Sequence, residues 1–78
     1  MNAVVVSPER VLFEGEAVQV ITRTTEGDVA FLAGHVPFLG TLAPGETRVY
    51  LADGSVRRFD IATGFVEVAH DTVSILVS

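Results

Sequence analysis

Seventy-eight residues with no cysteine, a formal net charge of −5 and 49% hydrophobic side chains make one small domain, residues 1–78. Disulfides, thiolate catalysis and cysteine-ligated zinc are excluded by the missing cysteine. All five basic residues (Arg10, Arg23, Arg48, Arg57 and Arg58) are arginines, which removes Schiff-base lysines, the lysine of a phosphate-binding loop and lysine-attached carrier groups. The acidic balance argues against a nucleic-acid partner, since phosphate neutralisation supplies most of that affinity. A mean hydropathy of +0.48 is high for a chain of a size that buries only somewhat above ~60% of the surface its unfolded form exposes, so apolar groups remain outside, where a patch often marks an interface.

In chain order, the opening "MNAVVVSPER" is too short and too quickly charged for a signal peptide or a membrane span, which needs about 20 apolar residues. The chain itself therefore reads as soluble. Ala3 to Val6 predicts a first strand, stopped by Ser7-Pro8. "VLFEGEAVQVITRT" predicts one long strand with a bend or bulge at Gly15. With no bulge between them, Glu14 and Glu16 fall on one face, as charges guarding a sheet edge do. "DVAFL" and "PFLGTL" predict strands on either side of a glycine-histidine corner. Asp53-Gly54, set between two alternating runs, predicts a type I′ hairpin. "GFVEVAHDTVSILVS" predicts a last hairpin closed near His70-Asp71, with Val73, Ile75 and Val77 facing the core. Short strands at this pitch, with no helical periodicity, predict an all-β sandwich or barrel.

Catalytic constellations are hard to assemble from these residues. His35 and His70 lie far apart, without metal-site spacing and without an implied third ligand. Ser7, Ser55, Ser74 and Ser78 sit outside any nucleophile-elbow pattern. "EGDVAFLAGH" has the glycines of a phosphate loop but neither its lysine nor its helix. No cofactor or metal is expected. What remains is "GHVPFLG", Gly34 to Gly40, for which two readings stand. In one it is a core crossover, with His35 satisfied by a backbone carbonyl. In the other it is an interface corner, shaped by Pro37 and by glycines that let a partner's backbone approach.

"SPERVLFEGEA", "TEGDVAFLAGHVPFLGTLAPGETRV" and "LADGSVRRFDIATGFVEV", in this order and spacing, resemble the epsilon subunit of the bacterial F-type rotary ATP synthase. The resemblance runs from about Val5 to Leu76. It implies a flattened ten-stranded antiparallel β-sandwich that catalyses nothing. It also implies a place in the central stalk, between the gamma subunit and the c-subunit ring, at the cytoplasmic face of the bacterial membrane, with membrane contact only through the complex. By the same resemblance Ser7, His35, Val36, Pro37, Phe38, Leu39 and Gly40 face gamma, and Glu26, Gly27 and Asp28 face the ring. Many members continue into a C-terminal helical hairpin. Here the sequence stops after the last strand, so the regulatory roles of those helices are not assigned to it. Thr63 stands where many members have glycine, which relaxes a tight backbone approach expected there. The alternative to this reading is an unrelated β-sandwich adaptor.

Overall fold

The computed structural model describes residues 1–78, and every regular element in it is a strand. In order these are β1 (Asn2–Val6), β2 (Val11–Glu16), β3 (Gln19–Thr24), β4 (Gly27–Leu32), β5 (Phe38–Leu42), β6 (Gly45–Tyr50), β7 (Val56–Ile61), β8 (Gly64–Ala69) and β9 (Thr72–Val77). The all-β architecture agrees with the alternation in the sequence. Its nine strands are one fewer than the family resemblance implies.

The strands form a sheet ordered β2-β1-β9-β8-β5-β3-β6-β7, with β4 added on β3. It folds into two layers, five-stranded β5-β8-β9-β1-β2 and four-stranded β4-β3-β6-β7. They join at a corner where Thr24 pairs with Leu42. Pairing is antiparallel except between β1 and β9. Between the layers lies one core, with Val5, Ile75 and Val66 from one side and Val20, Phe31 and Val49 from the other, all fully buried. Phe31 meets Phe38 at 5.3 Å along one open side. On the other, Phe13 and Phe59 lie 6.5 Å apart, with the Arg57 guanidinium over both rings at 5.4 and 5.7 Å. A cation over aromatic faces is held by the ring quadrupoles, so it seals the seam between β2 and β7.

Three local expectations change. The long strand is two strands, parted at Ala17-Val18 and placed in different layers. The bulge falls at Leu12, where the register slips from Val5↔Phe13 to Val6↔Val11, while Gly15 stays in regular pairing with Ala3. β2 is nonetheless an edge strand with exposed Glu14 and Glu16.

The third change concerns the hairpin turns. Leu51 N–H donates to the Ser55 carbonyl (2.9 Å) and Gly54 N–H to the Leu51 carbonyl (3.0 Å). Only Gly54 is left-handed, at φ 90°. This is a three-residue loop closed by a left-handed glycine rather than a type I′ turn. The turn with two left-handed residues is His70 (φ 52°) and Asp71 (φ 57°), between paired Ala69 and Thr72.

The Asp53 carboxylate accepts from the Ser55 hydroxyl (2.6 Å) and the Ser55 N–H (2.9 Å). These bonds stabilise its ionised form and hold it below the usual carboxylate range. A depressed pKa contributes stability present above the unfolded value and lost as pH falls through the folded one. Ser55→Ala removes the larger contribution, so the Asp53 titration moves up toward the ordinary range and the loop loosens at a less acid pH. A carboxyl-carbon NMR titration reads this directly, and an unchanged midpoint would refute it.

Candidate interaction surface

The β4–β5 corner is tied down at several points. His35 N–H donates to the Leu32 carbonyl at 3.1 Å, and Gly34 supplies the left-handed backbone, φ 83°. Gly34 N–H also reaches the Asp71 carboxylate of the β8–β9 turn at 3.4 Å. The His35 imidazole is half-buried. Its edge meets Phe31 at 4.9 Å, and its Nδ1 lies 2.7 Å from the Val36 carbonyl. That short contact makes Nδ1 the protonated, donating nitrogen. His35 is thus packed on the core and bonded to a backbone carbonyl, as the crossover reading expects, in a corner whose next two residues, Val36 and Pro37, are exposed.

Leu39 is 75% exposed and stands as a ridge between two hollows. One, of about 290 Å³, is lined by Pro37, Phe38, Leu39, Glu67, Val68 and Ala69. The other, of about 260 Å³, lies along the β4–β5 seam, where Phe38 and Val29 contribute apolar walls and Thr25, Glu26 and Thr41 polar ones. Gly40 does not leave its own space open to a partner. A Cβ there would come within 2.8 Å of the Phe38 ring, which already occupies that volume.

The acidic turn reaches the same hollow. Thr25 N–H donates to the Thr41 carbonyl at 2.9 Å, and Ala43 N–H to the Arg23 carbonyl at 3.0 Å, which pins the β3–β4 hairpin against β5. Thr24 Oγ1 accepts from Glu26 N–H and donates to the Gly27 carbonyl, so the turn is internally braced. Its two carboxylates differ. Asp28 is bonded to Arg23 Nε at 2.9 Å, and that bond and charge raise the Arg23 pKa. The Glu26 carboxylate has no partner in the chain and lies exposed at the hollow. The structure thus brings Glu26 together with Phe38, Leu39 and Gly40.

Ser7 lies elsewhere, in the β1–β2 turn. Its hydroxyl donates to the Arg10 carbonyl and accepts from Arg10 N–H, both at 3.2 Å, so it braces its own turn. No group of three or more histidine, aspartate or glutamate side chains is close enough to hold a metal ion. No helix is long and apolar enough to cross a membrane.

Five exposed apolar residues outside the corner, Val11, Val18, Leu32, Phe65 and Leu76, were not singled out from the sequence. A signal existed: in "GFV" and "ILV" apolar residues are consecutive, and a strand with consecutive apolar residues is apolar on both faces.

The fold is that of a small two-layered, all-β sandwich around one core. More particularly, residues 1–78 match the family described as ATP synthase, Delta/Epsilon chain, beta-sandwich domain, and the chain belongs to it. It is 43% identical to an ATP synthase epsilon chain of Frankia casuarinae over 97% of this chain and 89% of that protein. It is 41% identical to one of Ruminococcus albus over 95% of this chain, but covers only 55% of that protein. A chain in the Euglena gracilis mitochondrial ATP synthase (OSCP/F1/c-ring) superposes with a TM-score of 0.89 and 27% identity, covering 96% of this chain and 48% of the other. A Tetrahymena thermophila mitochondrial ATP synthase (central stalk/c-ring) chain shares the fold, with a TM-score of 0.82 and 18% identity.

Proposed function

We propose that this chain is a non-catalytic rotor subunit of an F-type ATP synthase. It sits in the central stalk at the cytoplasmic face of the bacterial membrane, peripheral to it, and binds the gamma subunit and the c-subunit ring so that proton-driven rotation reaches the catalytic head. The observation that carries this reading is the family match along the whole of residues 1–78. Ser7 and the His35-to-Gly40 corner face gamma; Glu26, Gly27 and Asp28 face the ring. Of the two carboxylates in that turn, Glu26 makes the polar contact, because Asp28 is engaged by Arg23.

The test is co-purification with gamma under conditions in which the other stalk subunits assemble; absence of a complex overturns the reading. His35→Ala is expected to weaken gamma binding about tenfold, as loss of one well-packed interface residue does, with a melting temperature lowered by only a few degrees. The reverse pattern, normal binding with a large loss of stability, would leave His35 as a core histidine alone.

A further inference from the structure

Asp53 is the only aspartate or asparagine in the chain that precedes a glycine; Asn2 precedes alanine, Asp28 valine, Asp60 isoleucine and Asp71 threonine. An aspartyl-glycine link carries a chemistry of its own, because glycine has no side chain to shield its amide nitrogen. The Gly54 nitrogen can attack the neutral Asp53 carboxyl and close a succinimide. The N–Cγ bond forms and a Cγ–O bond breaks, and the oxygen leaves as water with the carboxyl and amide protons. Water then reopens the ring. Cleavage at Cγ restores aspartate. Cleavage at the former peptide carbonyl leaves the main chain running through Cβ and Cγ, an isoaspartyl link of unchanged mass.

The β6–β7 loop both requires this dipeptide and obstructs its reaction. Gly54 is left-handed at φ 90°, a conformation in which other residues are strained, so the loop keeps its glycine. Asp53, Gly54 and Ser55 are all exposed, and burial does not protect them. Hydrogen bonds do. The Ser55 hydroxyl (2.6 Å) and the Ser55 N–H (2.9 Å) both donate to Asp53 Oδ1. They turn the carboxyl toward residue 55 and favour its ionised form, so the neutral acid that must be attacked is scarce. The nucleophile is engaged as well, since Gly54 N–H donates to the Leu51 carbonyl at 3.0 Å. Ring closure removes that proton, breaks the bond to Leu51 and pulls the carboxyl off Ser55.

We propose that Asp53–Gly54 is a latent isomerisation site and that Ser55 guards it, so that isoaspartate forms at position 53 when the loop is open and far more slowly in the folded hairpin. The damage is lasting. An isoaspartyl link adds a backbone carbon between Leu51 and Ser55, whose bond closes the loop, and a chain that isomerises while unfolded refolds to a looser hairpin. This chemistry belongs to the chain itself and stands whether or not the rotor role holds.

The experiment incubates the folded chain, its Ser55→Ala and Ser55→Thr variants and the chain in urea, buffered about one unit above the ordinary aspartate pKa. Isoaspartate at position 53 is read over time in the tryptic peptide Val49–Arg57 by electron-transfer mass spectrometry. The urea sample is expected to isomerise fastest and folded wild type slowest. Ser55→Ala should be faster than wild type by about threefold or more, the modest factor that an exposed charge-assisted bond commands. Ser55→Thr keeps both donors and should stay near wild type. Equal rates in folded and urea-unfolded wild type overturn the proposal, as does a lack of isoaspartate in urea. A Ser55→Ala rate equal to wild type removes Ser55 as the guard and overturns it too. Hydrogen exchange at the core amides of Val20 and Val49 covers the case of a destabilised variant: if the gain in rate matches the rise in the globally unfolded fraction, the whole fold protects the site and the assignment to Ser55 fails.

Discussion

Gly64→Ala is expected to destabilise the domain by about 4 kcal/mol, combining a strained backbone with steric overpacking. Gly64 has φ 154°, a region essentially reserved for glycine. A Cβ added there would also run into the Leu76 carbonyl oxygen, with the Leu76 carbonyl carbon at 3.0 Å. Neither party can withdraw easily. Gly64 is paired on one side with Leu42 of β5 and on the other with Val77 of β9, so relief requires moving a strand inside the five-stranded layer. For a domain of this size the loss is roughly 20 °C in melting temperature. Urea denaturation of the purified variant checks it, and a loss below about 1 kcal/mol would show that the layer yields more freely than this geometry allows. The neighbouring Thr63 is exposed, and its carbonyl accepts from Ser78 N–H at 3.1 Å. The tight approach expected at position 63 therefore belongs to Gly64, and threonine beside it relaxes nothing.

The second large effect lies in the four-stranded layer. Thr22 and Thr47 are fully buried, and their hydroxyls share a bond of 2.7 Å. Thr22→Val leaves the Thr47 hydroxyl buried without its partner, at a cost of about 2 kcal/mol, and Thr47→Val does the same to Thr22. Replacing both removes the need for the bond while keeping the shape, so the double variant should return close to wild-type stability. The double-mutant cycle then gives a coupling approaching the sum of the two single losses, about 4 kcal/mol in magnitude. Strictly additive single losses would show that each hydroxyl finds another acceptor.

These two sites illustrate where the sequence was legible and where it was not. Alternation located the strands because residues such as Val49 and Val73 are buried between outward polar neighbours. The parting of β2 from β3 was written as a change of phase. Inward positions are odd at Phe13, Gly15 and Ala17 and even at Val20, Thr22 and Thr24, and a one-residue slip flips a strand's faces. Buried threonines hid that slip by reading as polar. Turn residues misled because the local preference of Asp53-Gly54 for a tight turn gave way to the pairing of Leu51 with Ser55, whereas register imposed two left-handed residues on the less suited His70-Asp71.

The proposed contact surface was legible only in part. The corner is contiguous in sequence, and "GHVPFLG" could be read as one object. The exposed Val11, Leu76 and Phe65 come from three strands, and they share one face only once β1 lies parallel to β9. The proximity of Glu26 to Leu39 likewise depends on two backbone bonds between distant residues, Thr25 to Thr41 and Ala43 to Arg23. The Arg23–Asp28 pair, which sets the two acidic residues apart, needed only the cross-strand register of β3 and β4, which a short hairpin nearly dictates.

The parallel pairing of β1 with β9 has a consequence for synthesis. β1 lies between β2 and β9 in the five-stranded layer, so the first strand made waits for the last to cover its other edge. Contacts between distant parts of a chain form slowly, after the cost of closing the intervening loop. While the ribosome works through the middle strands, β1 and β2 can pair only with each other, with Ala3 and Val5 uncovered, and a lone hairpin is marginally stable at best. The core therefore closes after translation of Val77, and the growing chain carries an open edge until then. A pause placed late in the message would lengthen its exposure to chaperones and to aggregation.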